Sequence, residues 1–140
     1  MNVFTISLDD LSAGWAYLTI SDDKQDTRGV DMTVSYILYD SLEKFVEAAI
    51  NLAHKENSVI SCFLEPTIMK WKVEYIQGDY FNLYIEDLIF HDTVKRFIRQ
   101  VLNMFDKYIF EYSEAEYEKQ WRHNFPSKKL DQLRELLHKI

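Results

Sequence analysis

Residues 68–90 read IMKWKVEYIQGDYFNLYIEDLIF, with apolar side chains on alternate positions to either side of a glycine. Trp71, Val73 and Tyr75 alternate with Lys70, Lys72 and Glu74; beyond Gln77-Gly78-Asp79, Phe81, Leu83 and Ile85 alternate with Asn82, Tyr84 and Glu86. Period two about a glycine-containing turn specifies a β-hairpin, and the charges choose its register. A two-residue Gly78-Asp79 loop would set Glu74 opposite Leu83 and Lys72 opposite Ile85. An odd loop through Gln77-Gly78-Asp79 instead pairs Tyr75 with Phe81, Val73 with Leu83 and Trp71 with Ile85 on one apolar face, leaving Lys70 opposite Glu86. A slip of one residue turns every side chain to the other face, so the second register is the one predicted.

The remaining elements follow from the same two periodicities. Residues 3–8 and 14–20 alternate as strands about a turn at Asp9-Asp10-Leu11-Ser12. A polar loop over residues 21–29 leads to a third strand over residues 32–39. Asp40 or Ser41 caps a helix whose Leu42, Phe45, Val46, Ala49, Ile50 and Ala53 recur at helical spacing and which ends near His54. Residues 59–64 form a strand closed by Glu65-Pro66, and the hairpin follows. Next, His91-Asp92-Thr93 supplies the cap of a long helix with an apolar stripe from Val94 through Phe97, Val101, Phe105 and Tyr108 to Tyr112. Ser113 with Glu116 makes a capping box for a second helix, Phe125-Pro126 breaks it, and Ser127 caps a last one with Leu130, Leu133, Leu136, Leu137 and Ile140 on one face. The predicted order is β-β-β-α-β-β-β-α-α-α: an α+β fold with a mostly antiparallel sheet of about six strands and helices packed on one face.

With 140 residues, 47% of them hydrophobic, the chain fits one domain that can bury a core without disulfides or metals. No apolar run approaches the roughly 18 residues of a membrane span. The N-terminus lacks a basic region and meets Asp9 early, and the lone Cys62 falls in an apolar strand pattern. Both features point to the cytoplasm. The net charge of −7 is unevenly spread: from Lys119 onward six basic residues stand against Asp131 and Glu135, giving +4, so the first 118 residues carry −11. An acidic body repels phosphate backbones and steers basic proteins inward, which argues against nucleic acid as a partner.

Catalytic and cofactor signatures are missing from the sequence. Gly14, Gly29 and Gly78 lie too far apart for a phosphate-binding loop or a dinucleotide fingerprint. No serine sits between two glycines as a nucleophile elbow requires, and Cys62 reads as a small buried hydrophobe. His54, His91, His123 and His138 do not pair at ligand spacing, and one cysteine is too few for a structural zinc site. Asp22, Asp23, Asp26 and Asp31 resemble a calcium loop only superficially, because Thr27 stands where its glycine belongs and Thr33 where its bidentate glutamate belongs. No metal and no cofactor are expected.

What remains is surface chemistry. Trp15 and Tyr17 share a face opposite Ala16, Leu18 and Ile20, and Tyr80 and Tyr84 fall on the corresponding side of the hairpin among Lys72, Glu74 and Glu86. Tyrosine and tryptophan mixed with charge is the composition of recognition surfaces; a covering helix is the structural alternative. This texture, an acid-rich, Tyr- and Trp-rich sheet half (GWAYLTISDD, WKVEYIQGDYFNLYIED) followed by helices ending in WRHNFPSKKLDQLRELL, resembles the small acidic immunity proteins that bacteria encode beside polymorphic or contact-dependent toxins. The resemblance implies a cytoplasmic, non-enzymatic binder that occludes a basic toxin domain. Its partner-binding residues would be Asp22, Asp23, Asp26, Tyr80, Tyr84, Glu86 and Asp87, grouped on the assumption that the loop and the hairpin border one face. A homodimeric adaptor using that face on itself is the alternative. A small enzyme using His91, Glu86 or Asp87 is the third reading.

Overall fold

The computed structural model describes residues 3–21 and 30–140 and has the α+β architecture: seven antiparallel strands in one open sheet, with four helices. The strands are β1 (Thr5–Ser12), β2 (Trp15–Ser21), β3 (Val30–Ser35), β4 (Ser58–Phe63), β5 (Ile68–Gln77), β6 (Tyr80–Ile85) and β7 (Leu88–Thr93), and they lie side by side in chain order. The helices are α1 (Ser41–Ala53), α2 (Val94–Glu111), α3 (Glu114–Trp121) and α4 (Ser127–Lys139).

The predicted pairing of the β5/β6 hairpin is present, with Trp71 opposite Ile85, Val73 opposite Leu83 and Tyr75 opposite Phe81. The loop itself is shorter than predicted. Gln77 pairs with Tyr80 across Gly78-Asp79, and a bulge between Tyr75 and Gln77 takes up the extra residue. A two-residue loop thus coexists with the register of an odd one. The ladder ends at Trp71 and Ile85, so Lys70 and Glu86 are not a strand pair.

Two further elements differ from the sequence reading. β1 continues to Ser12 through a bulge at Asp9, and the turn falls at Ala13-Gly14, both at positive φ (51° and 86°), as a tight hairpin turn requires. The seventh strand, β7, occupies residues expected to be the end of the hairpin and a helix cap. It turns back from β6 at Glu86-Asp87 and sends Phe90 and Asp92 inward. Thr93 caps α2 by accepting the Arg96 N–H at 3.2 Å. Asp92, expected to belong to that cap, is a buried strand residue instead.

The sheet curls about its apolar side. Phe4, just before β1, touches Phe90 of β7 with ring centroids 5.3 Å apart, and also meets Trp71 and Phe97. The first and last strands are therefore brought together at that corner. Asp92 accepts the backbone N–H of Phe4 at 3.0 Å, and Arg96, paired with Asp92 at 3.1 Å, donates to the Phe4 carbonyl at 3.1 Å. Into the concavity α2 sends Val94, Phe97, Ile98, Val101, Leu102 and Phe105, and α1 sends Leu42, Phe45, Val46 and Ala49, all buried. Each large aromatic enclosed this way contributes about 1.5–3 kcal/mol. α4 lies across α1, where Lys129 reaches Glu43 at 2.7 Å and Glu47 at 3.4 Å.

The start of α1 is tied to α3. Asp40 caps α1 through the Glu43 N–H (3.2 Å) and accepts the Trp121 indole N–H (2.8 Å). Burial raises the carboxyl's pKa above its ordinary value, an effect opposed by the bonds from Trp121 and Glu43.

Candidate functional site

All this packing lies on the concave side, so among the described residues the convex face of the sheet has no helix over it. Tyr17, Val59 (58% exposed), Lys72 and Ile89 (54% exposed) stand on it. No helix among the described residues covers the second face of the β5/β6 hairpin. Cross-strand pairing sets Val59, Lys72, Tyr84 and Ile89 in one row over β4 to β7, and Glu74, Asn82 and His91 in the next.

Polar contacts knit these rows together. The Tyr80 and His91 rings stack with centroids 5.4 Å apart and planes 6° from parallel. His91 Nδ1 lies 2.6 Å from Asn82 Oδ1, Asn82 Nδ2 donates to the Tyr84 hydroxyl at 3.3 Å, and that hydroxyl donates to Glu74 at 3.4 Å. The Lys72 ammonium sits 5.7 Å from the Tyr84 ring centroid. Lys72, Glu74, Tyr84 and His91 are thereby tied to one another across the strands.

The second feature is a cleft of about 450 Å³ between β3 and the two turns that face it. Ile20, Met32, Leu64, Met69 and Ile85 make its floor, and Asp31, Glu86 and Asp87 its rim. No lysine or arginine among the described residues lines it. Ile85 and Met32 reach the cleft because they belong to the core face of their strands. Glu86 and Asp87 reach its rim because they form the β6–β7 turn, in which Glu86 adopts φ +53°.

The structure divides the residues singled out from sequence. Tyr80 and Tyr84 share the convex face. Glu86 and Asp87 belong to the cleft rim, past the opposite end of β6 from Tyr80. Asp22, Asp23 and Asp26 lie outside the described residues. His91, the histidine considered for catalysis, is engaged with Tyr80 and Asn82, and Glu86 and Asp87 are at the far end of the strand from it. Among the described residues no group of three His, Cys, Asp or Glu side chains is placed to hold a metal ion, and no helix is long and apolar enough to cross a membrane. Burial pushes the Cys62 thiol up to about 12, which keeps it protonated and non-nucleophilic near neutral pH.

Compared with protein-family models, curated proteins and solved structures, the chain matches none.

Sequence reasoning missed parts of these two surfaces and one exposed aromatic elsewhere. By sequence, Asp31 stands out only in an imperfect calcium-loop pattern, and Val59 and Ile89 only as apolar residues in strand-like stretches. Phe110, on the last turn of α2, is 90% exposed beside the exposed Glu111 and Tyr112. A signal existed for Phe110: it falls off the apolar stripe of its helix, where an aromatic gains nothing from the core. Glu111 also opposes the dipole at a helix end that has no basic residue in its last turn.

Proposed function

We propose that the chain is a non-catalytic binding protein for a basic protein partner, acting as an immunity protein that covers and neutralises a toxin domain. The observation that carries this reading is the acidic rim of Asp31, Glu86 and Asp87 over an apolar cleft that no lysine or arginine among the described residues lines. A partner approaching with Lys or Arg around an apolar side chain is attracted by the rim and retained by burial of its apolar group. The net charge of −7 extends the attraction beyond the rim, and the Tyr80, Tyr84 and His91 network offers a second, aromatic contact. The cytoplasm is the compartment that suits such a role.

The test is affinity capture from the native lysate with the tagged chain and with its Glu86→Lys/Asp87→Lys variant. A basic protein should be held by the parent chain, be released between about 50 and about 500 mM salt as screening shortens, and be lost with the reversed charges. Retention by the variant, or no salt-sensitive partner at all, overturns the reading.

A second reading, a homodimeric adaptor, is favoured by the exposed Val59 and Ile89 on either side of the Lys72–Tyr84 pair. Sedimentation equilibrium decides it. A dimer that dissociates on Val59→Arg supports self-association, and a monomer at all concentrations removes it.

A further inference from the structure

Among the described residues, β3 is a strand with one side occupied and one side almost wholly unpaired. On its inner side it pairs with β2 from Trp15↔Ser35 to Ile20↔Val30. On its outer side the ladder to β4 consists of Ser35↔Phe63 alone. The offset explains why. Continuing that antiparallel register would set Val34 beside Leu64 and Met32 beside Pro66, beyond the end of β4, where Glu65 at φ +55° and the cis Glu65–Pro66 peptide turn the chain into β5. β4's own outer edge is different, because the Ser41 hydroxyl of α1 donates to the Ser61 carbonyl at 2.8 Å. The open backbone of residues 30–34 faces the 450 Å³ cleft, whose far wall is Leu64, Met69 and the β6–β7 turn.

An unpaired strand edge is a template for another strand, and most proteins block it with a lysine, a proline or a covering element. Here residues 30–34, Val-Asp-Met-Thr-Val, contain neither lysine nor proline, and no element among the described residues pairs with their outer edge. Alternation then defines what fits. On a strand laid along β3, inward side chains meet Met32, Leu64, Met69 and Ile85, while outward ones pass Asp31 and the Glu86-Asp87 turn.

We infer that an extended segment of the partner, alternating apolar with basic residues, adds as a strand to the outer edge of β3 over residues 30–34. This rests on the reading of the chain as a binder of a basic protein, and it specifies how the two chains join. Main-chain hydrogen bonds hold the segment and the acidic rim selects its charge.

The probe is a capped synthetic Arg-Val-Lys-Val-Arg-Val peptide, titrated calorimetrically into the full chain with amide exchange followed by NMR. The basic peptide should bind and slow exchange of amides in residues 30–34, while a Glu-Val-Glu-Val-Glu-Val peptide should not bind. Two versions are N-methylated on one or the other set of alternate residues. One of the two should lose at least about tenfold in affinity, since only one set of N–H groups can face β3. Asp31→Lys with Glu86→Lys should weaken the parent peptide to a similar extent.

Failure of the basic peptide to bind, equal binding by the acidic peptide, or indifference to both methylation patterns overturns the inference. So does protection confined to β7. Dimerisation that the peptide does not reverse would assign the edge to a second copy, also against the inference. Charge-dependent capture of a basic protein together with a negative peptide result would remove strand addition and leave the binding reading intact. Loss of that capture would remove the reading itself.

Discussion

The carboxylate of Asp92, on the last strand of the sheet, accepts the backbone N–H of Phe4 from 88 residues earlier in the chain. Arg96 completes the arrangement by bonding both the carboxylate and the Phe4 carbonyl, so two side chains give Phe4 the donor and acceptor that a neighbouring strand would supply. Asp92→Ala leaves the Phe4 N–H without its carboxylate acceptor and removes the buried charge that Arg96 pairs with. The expected loss is about 3 kcal/mol, read as a lower urea midpoint. Asp92→Asn, which keeps one acceptor oxygen, should lose less.

Gly14 and Gly78 both have positive φ, but their surroundings differ. A Cβ on Gly14 would collide with the Tyr36 ring, in a turn whose N–H bonds the Gln120 carbonyl and whose carbonyl accepts from the Tyr36 N–H. A Cβ on Gly78 would meet nothing within 4 Å. Gly78→Ala should therefore cost only the left-handed backbone penalty, about 1 kcal/mol. Gly14→Ala should cost about 2–4 kcal/mol by adding a clash to that strain. Denaturant titration of the two variants measures the difference.

Tyr117 is fully buried, and its hydroxyl has no hydrogen-bond partner among the described residues; burial raises its pKa well above the ordinary tyrosine value. Removing an unsatisfied polar atom while keeping the ring should help. Tyr117→Phe is expected to raise stability by about 1 kcal/mol, visible as a higher melting temperature.

Asp40 gives a pH signature. Its folded pKa is raised above the ordinary 3.8, so the folded state holds the proton more tightly than the unfolded state. The resulting contribution is fully present below 3.8 and is lost as pH rises through the folded value. Asp40→Asn retains an acceptor for the Glu43 and Trp121 N–H groups and removes the titration. Relative to the parent chain it should gain stability on going from about pH 3 to pH 7, measured by urea unfolding at both pH values.

Cys62 should be inert toward a thiol reagent such as iodoacetamide in the folded chain, because it is buried and burial pushes its pKa up to about 12. Labelling should proceed only through unfolding, at a rate that rises with urea. Rapid labelling of the native chain would contradict the burial.

The hairpin was legible because Trp71, Val73 and Tyr75 permit only one register that keeps lysine out of the core. α2 was legible for the same reason at helical spacing. β7 was not, because its inward positions are Phe90 and Asp92. An acid at a core position defeats an alternation argument unless its partners are known, and those partners, Phe4 and Arg96, meet it only in the folded chain. The β6–β7 turn also lacks a glycine, with Glu86 taking the positive φ that would have marked it. At the candidate site, tyrosines on the second face could be read from the hairpin's alternation. The cleft could not, since it arises from how far β3 runs past the end of β4. That offset is set by the packing of α1 and the Glu65-Pro66 turn rather than by any local pattern.

Because the sheet order is the chain order, every strand pairs with the one synthesised just before it. The ladders can be laid down as the chain leaves the ribosome, with β4 joining β3 once the intervening α1 has been made. The fastening of Phe4 by Asp92 is the exception. It can form only after more than half the chain has been made, so it acts as a late latch on a sheet that has already been assembled.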